Sequence, residues 1–246
     1  MSRILVVDDD RATRHLLRTI LTHAGFDAAV AKDGVAALDA LRRQRIDLML
    51  LDVWMPRMNG LELLGKLGAR KRRPRVIVMT SDDAPETLLK AVRERAFKYV
   101  HKPVEAPALV QAVRDALRAA EPPPIEVISA TPEWVELEVP CTYEAAEHLQ
   151  AVMAALETKL APKLRESIAY AFRELLFNAI EWGGKLDPAH KVRISCLRAK
   201  RMLLYRIADP GPGFNLADLP HAAIGREADG PIAHMQVREE KGIRPG

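Results

Sequence analysis

Asp8 and Asp9 directly follow the apolar run Ile4–Val7, and Asp52 directly follows Leu48-Met49-Leu50-Leu51. Thr80 closes Val76–Met79, and Lys102 comes just after Tyr99-Val100-His101. Short apolar runs of this kind read as buried strands. In an open α/β sheet the carboxyl ends of the strands share one edge, and ligands bind there. Carboxylates gathered at such an edge repel one another. Mg²⁺ is the natural neutraliser, because it takes a few carboxylates together with phosphate oxygens and keeps some of its waters. A threonine hydroxyl can donate to a phosphoryl oxygen, and an ammonium binds phosphate as a point charge. Any one strand-end Asp is more often a helix cap or a turn residue. The conjunction carries the signal: the acidic pair, Asp52, Met55-Pro56, Asn59-Gly60, Thr80 and Lys102-Pro103, in that order, each at or after a strand end. Pro103 after Lys102 in a tight turn is also a candidate cis peptide.

A second set lies in the other half. Glu174 and Asn178 are four apart within Phe172-Arg173-Glu174-Leu175-Leu176-Phe177-Asn178-Ala179, hence on one face of a helix. Further on, Ile207-Ala208-Asp209-Pro210-Gly211-Pro212-Gly213 follows a strand-like run. Its glycines permit a tight turn and close backbone approach to a ligand. Each feature alone is weak, since exposed Glu/Asn pairs and surface turns are common.

The elements that must position these residues follow from periodicity. Residues 11–24 place Leu16, Leu17, Ile20 and Leu21 on one helical face, with Asp10 as N-cap and Gly25 as stop. Asp47–Leu51 reads as strand, Leu61–Leu67 as helix, Val76–Met79 as strand, Pro85–Arg95 as helix, Tyr99–Val100 as strand and Pro107–Leu117 as helix. Such alternation predicts a parallel sheet covered on both faces. Glu121-Pro122-Pro123-Pro124 then breaks all periodicity and reads as a semi-rigid linker between domains 1–120 and 125–246. Beyond it, Ile125–Ile128 and Trp134–Val139 alternate as half-solvated strands. Tyr143–Leu160 and Lys163–Trp182 read as helices, and Val192–Leu197 and Met202–Ile207 as a strand pair. This is an α+β sandwich. The basic run Arg70-Lys71-Arg72-Arg73 falls between a helix and a strand. It reads first as a solvated loop and second as a basic docking patch.

The first constellation resembles the response-regulator receiver family over residues 1–120. The resemblance implies a flavodoxin-like five-stranded parallel sheet with helices on both faces. It also implies Mg²⁺ held by Asp8, Asp9, Asp52 and the backbone carbonyl of Trp54, and a phosphoacceptor at Asp52 served by a sensor histidine kinase or phosphotransfer protein. Lys102 would bind the phosphate, and Thr80 and Tyr99 would form the switch. Trp54 is bulky for its place, and Arg95 stands where a glycine is common. The second constellation resembles the GHKL ATPases, and in layout the anti-sigma-factor serine kinases among them. By that resemblance Asn178 holds the Mg²⁺ of ATP, Glu174 acts as base, and Asp209, Gly211 and Gly213 form the first glycine box. Trp182 stands where related sequences often carry His. Residues 215–241 would be the lid. The chain stops at Pro245-Gly246, about where the second glycine box is expected, so the expected two-layer sandwich is C-terminally incomplete.

Composition narrows the classes. Hydrophobic residues make up 48%, enough for ordinary cores, and 37 Lys plus Arg against 33 Asp plus Glu is no argument for nucleic acid. Cys141 and Cys196 form no zinc or disulfide pattern. No apolar stretch approaches a membrane span, and the N-terminus lacks the features of a signal peptide. The expectation is a soluble cytoplasmic two-domain signalling protein, compatible with a homodimer. Its receiver catalyses its own phosphoryl transfer and autodephosphorylation. Its output is an ATP-dependent serine/threonine kinase that binds a sigma factor or an anti-sigma antagonist. Two alternatives stand beside it: a docking module without nucleotide activity, and a DNA-binding transcription regulator. The latter is disfavoured by Glu166, Glu174 and Glu181 on the second long helix. His148 lacks the flanking residues of a kinase histidine and reads as a surface or core residue.

Overall fold

The computed structural model describes residues 2–68, 72–81, 85–119, 123–156, 160–200 and 202–213. In the first domain β1 (Arg3–Val7), β2 (Asp27–Ala31), β3 (Leu48–Asp52), β4 (Arg75–Thr80) and β5 (Lys98–His101) form a parallel sheet in the order β2-β1-β3-β4-β5. Helices α1 (Arg11–His23) and α5 (Ala106–Arg118) cover one face, and α2 (Gly34–Arg43), α3 (Gly60–Gly68) and α4 (Pro85–Arg93) the other. Successive residues of a strand face opposite sides, and both sides are dry. Ile4, Val6, Leu48 and Leu50 pack with Leu17 and Val113, whereas Leu5, Val7, Met49 and Leu51 pack with Leu63 and Leu64. That is why these strands read as unbroken apolar runs.

Asp10 caps α1 by accepting from the Thr13 amide at 2.6 Å, and the chain turns at Gly25 with φ 89°. The Lys102-Pro103 peptide is cis. The pair β2 and α2 carried no assignment in the sequence pattern. Asp27-Ala28-Ala29-Val30-Ala31 is a half-exposed edge strand of small residues, with little of the apolar contrast that marks β1 or β3.

The second domain is an antiparallel sheet, β6 (Glu126–Ala130), β7 (Trp134–Pro140), β8 (Lys191–Ala199) and β9 (Met202–Ala208), in the order β6-β7-β8-β9. Helices α6 (Tyr143–Leu156) and α7 (Pro162–Asn178) lie on one face. The second helix is shorter than its periodicity predicts. After Asn178 it widens into a π-helical turn, Ala179–Gly183, in which the Gly184 amide reaches back to the Ala179 carbonyl at 2.8 Å. Residues 157–159, within the expected Tyr143–Leu160 helix, lie outside the described residues.

The two domains share apolar contacts. Leu88, Leu89 and Val92 of α4 belong to the same buried cluster as Ile125, Leu149 and Val152. Helix α4 packs on β6 and α6, and α6 also meets β5. Among the described residues, no helix is long and apolar enough to cross a membrane.

Candidate functional site

Three strand ends and one turn build the first site. Asp8 and Asp52 are buried and Asp9 is exposed, and one ligand oxygen from each lies within 4.8 Å of the others. Lys102, placed by the turn after β5, donates from Nζ to Asp8 Oδ2 and to Asp52 Oδ1, both at 2.7 Å. The Asp10 amide donates to Asp8 Oδ1 at 2.9 Å, and Arg14 holds the Asp8 and Asp9 carbonyls at 2.7 Å each. The end of β1 is therefore held by side chain–backbone bonds, while Asp9 keeps its carboxylate in solvent.

Burial pushes the Asp52 carboxyl up. The Lys102 hydrogen bond and charge oppose that, and Asp8 and Asp9 add to it. Burial alone would lower the Lys102 ammonium, but its hydrogen bonds to Asp52 and Asp8 outweigh this and hold it above its ordinary value. The arrangement suits a divalent cation: clustered oxygen donors of like charge, with one cation already recruited between two of them.

Gly60 opens α3 directly behind Asp52, and its amide donates to the Val53 carbonyl at 2.8 Å. A Cβ at Gly60 would lie 2.1 Å from the Asp52 carbonyl oxygen, so only glycine permits this approach. Thr80 ends β4 half-buried, and its carbonyl accepts from the Lys102 amide at 2.8 Å. The Trp54 side chain is largely exposed. Tyr99 sits where the two cores meet, its hydroxyl 3.4 Å from the Ala96 carbonyl, and burial drives its phenol far above the usual range. Thus Asp8, Asp9, Asp52 and Lys102 converge, Thr80 borders them, and Tyr99 lies apart at the domain junction.

The second set is brought together in part. Glu174 is half-buried and Asn178 exposed on the last turns of α7. The π turn then brings Gly183 against the loop after β9. A Cβ on Gly183 would lie 2.2 Å from Asp209 Oδ1, which also accepts from the Gly211 amide at 2.8 Å. Gly213 has φ 76°, a left-handed conformation. The π turn that continues the Glu174/Asn178 helix therefore meets the Asp209 turn at Gly183. Sequence reasoning missed Gly183, Gly184 and Cys141. Cys141 is buried against Gly184, and burial, then Asp187 and Asp209, raise its thiol. The Gly183-Gly184 pair beside the polar helix end was the available signal. The expected lid, 215–241, and the chain end at Pro245-Gly246 lie outside the described residues.

Comparison with known proteins bears on both halves. The response regulator receiver domain family matches residues 4–114, and the histidine kinase-like ATPase domain family matches residues 139–242. The DNA-binding response regulator MtrA of Mycolicibacterium smegmatis is 36% identical over 203 residues, covering 80% of this chain and 87% of MtrA. The chain belongs to the response regulator family. The response regulator MprA of a Mycobacterium species is 38% identical over 120 residues, 49% of this chain and 52% of MprA. A CheY-like receiver domain from Methanospirillum hungatei superposes with a TM-score of 0.46 at 28% identity, over 48% of this chain and 94% of that one. In this response regulator the parallel domain is the receiver, and the antiparallel domain that follows is of the histidine kinase-like ATPase, or GHKL, type.

Proposed function

We propose that this response regulator accepts a phosphoryl group on Asp52 and uses it to control an ATP-binding output domain. The observation that carries the reading is Lys102 Nζ lying 2.7 Å from both Asp8 and Asp52, a cation at the carboxylate that must receive an anionic phosphoryl group. In the transfer, an Asp52 carboxylate oxygen forms the new O–P bond as the N–P bond of a phosphohistidine breaks, and the leaving imidazole takes up a proton. Asp8, Asp9, Asp52 and the Trp54 carbonyl would hold Mg²⁺, which supplies charge neutralisation for the phosphoryl oxygens. Lys102 follows the transferred charge, and Thr80 donates to a phosphoryl oxygen. Burial keeps water away from Asp52 and strengthens each of these contacts. The phosphodonor is a sensor histidine kinase or a phosphotransfer protein. Incubation with acetyl phosphate and Mg²⁺ should give a phosphate-affinity gel shift that is absent in Asp52→Asn; a shift retained in that variant would sink the reading.

For the output, Asn178 and Glu174 would face the Mg²⁺–ATP phosphates, and Asp209, Gly211 and Gly213 would receive the base. A sigma factor or its antagonist would be the partner, phosphorylated on Ser or Thr. The meeting of Gly183 and Asp209 supports this placement, because it sets the turn after β9 against the end of the helix that carries Glu174 and Asn178. Calorimetry with Mg-ATP should show micromolar binding that is lost in Asn178→Ala. Absence of binding in the parent chain would turn the domain into a docking module.

A second reading, DNA binding, is favoured by the likeness to MtrA, described as a DNA-binding response regulator. A gel-shift assay with genomic fragments decides between them. Salt-resistant, sequence-dependent retardation would establish DNA binding, and its absence would leave the ATPase output.

A further inference from the structure

We propose that this response regulator has an additional anion site, a cleft at the domain junction that binds a small oligophosphate such as a nucleoside polyphosphate. The cleft has a volume of about 1750 Å³ and lies at the amino-terminal edge of the receiver sheet, where Ser2, Asp47 and Arg75 mark the strand starts. It extends to the connector, Pro123–Ile125, and to His148 of α6. None of the acidic-site residues, nor Glu174, Asn178 or Asp209, lines it.

Among the described residues, eight arginines line this concavity against two carboxylates, Asp47 and Glu94. They arrive from three separate places in the fold: Arg43 and Arg45 at the end of α2, Arg72 from the basic run before β4, and Arg93 and Arg95 at the end of α4. All five are exposed. Asp47 is already engaged, accepting from the Arg3 amide at 2.9 Å and pairing with Arg45 at 3.2 Å. Arg43, Arg72, Arg93 and Arg95 make no ion pair among the described residues. Guanidinium groups concentrated in a concavity raise one another's electrostatic energy, and a multiply charged anion removes that cost. The planar fork of arginine matches phosphate oxygens two at a time, which lysine cannot do.

Two residues bordering the cleft have unusual local structure. Arg95 is held at φ 55°, a left-handed conformation in which glycine would be unstrained. Backbone preference alone therefore does not account for an arginine at this edge of the cleft. His148 has Nδ1 at 3.2 Å from the Pro123 carbonyl, while its Nε2 is buried with no hydrogen bond among the described residues. Val76, Val92 and Ile125 give the cleft an apolar floor, which strengthens charge interactions above it. The volume exceeds that of common small-molecule pockets, roughly 300–1,000 Å³, and so admits a ligand of dinucleotide size.

The test is calorimetric titration of the full chain with inorganic tripolyphosphate at 0.15 M salt without Mg²⁺, with sulfate at matched ionic strength as reference. Tripolyphosphate should bind, and bind equally to Asn178→Ala. Binding should weaken at least tenfold in Arg43→Glu/Arg95→Gly. Arg95→Gly alone should weaken binding while keeping or raising the melting temperature, which separates ligand loss from misfolding. The proposal is overturned by absence of binding beyond that of sulfate, by unchanged affinity in the double variant, or by loss of binding in Asn178→Ala. Tighter binding of single-stranded oligonucleotides that grows with their length would overturn it too, marking a nucleic-acid surface instead.

Discussion

Asp52 carries a charge that the fold resists. Its carboxyl is raised above the ordinary 3.8 by burial, with Lys102 opposing and Asp8 and Asp9 reinforcing. A raised folded value means that the neutral form favours folding. This contribution is present below the unfolded value and is lost as pH rises through the folded one. In EDTA at pH 7, Asp52→Asn should therefore melt above the parent protein, and the gap should shrink as pH falls toward 3.8. Melting curves at the two pH values check this; a variant that melts lower at pH 7 would show that Lys102 more than offsets the burial cost. The positions of Asp8, Asp9, Asp52 and Lys102 were legible because each ends or follows a strand-like run. That Lys102 binds Asp8 as closely as Asp52 was not, because sequence order says nothing about how a lysine chooses between neighbouring carboxylates.

At the scale of elements, the π turn after α7 controls where Asp209 can stand. Gly183→Ala would place a methyl group against the Asp209 carboxylate and displace it. The expected cost is about 1–3 kcal/mol of stability, with loss of Mg-ATP binding measured by calorimetry. Retained binding would mean that Asp209 does not recognise the nucleotide. On the outer face of the second sheet, Glu138 bridges Arg193 and Lys191. The Arg193 hydrogen bond leads in depressing its carboxyl below the ordinary 4.5. A depressed folded value gives stability that is present above 4.5 and lost as pH falls through the folded one. Glu138→Gln should accordingly flatten the acid limb of a melting-temperature profile. The long helices and strong strands were readable from period alone. The β2–α2 pair was not, because alanine-rich edge elements carry little amphipathic contrast. The widening of α7 was missed for a different reason, since it depends on a glycine pair meeting a distant turn.

At the scale of the whole molecule, the domains are joined by more than their connector. Leu89 of α4 is 1% exposed within the cluster that holds the second domain together. Leu89→Ala should cost about 2–5 kcal/mol and separate the unfolding endotherm into two transitions. A single transition shifted uniformly downward would show that the domains stay coupled without Leu89. Nothing in the sequence announced this junction. Leu88, Leu89 and Val92 satisfy the pattern of a receiver helix packing on its own sheet, and periodicity fixes which face is apolar without saying what covers it.

The shortness of the connector sets the terms on which that junction opens. Only residues 120–124 separate the described end of the receiver at Ala119 from Ile125. A tether of this length keeps the partner surfaces at millimolar effective concentration even when they have parted. Any outside protein that seeks α4 must outcompete a neighbour that never diffuses away. A signal at Asp52 that weakens the contact tenfold, about 1.4 kcal/mol, would shift how often the junction is open rather than release the domain. The output of such a chain would then be graded by the fraction of time spent apart, with each closure resetting it.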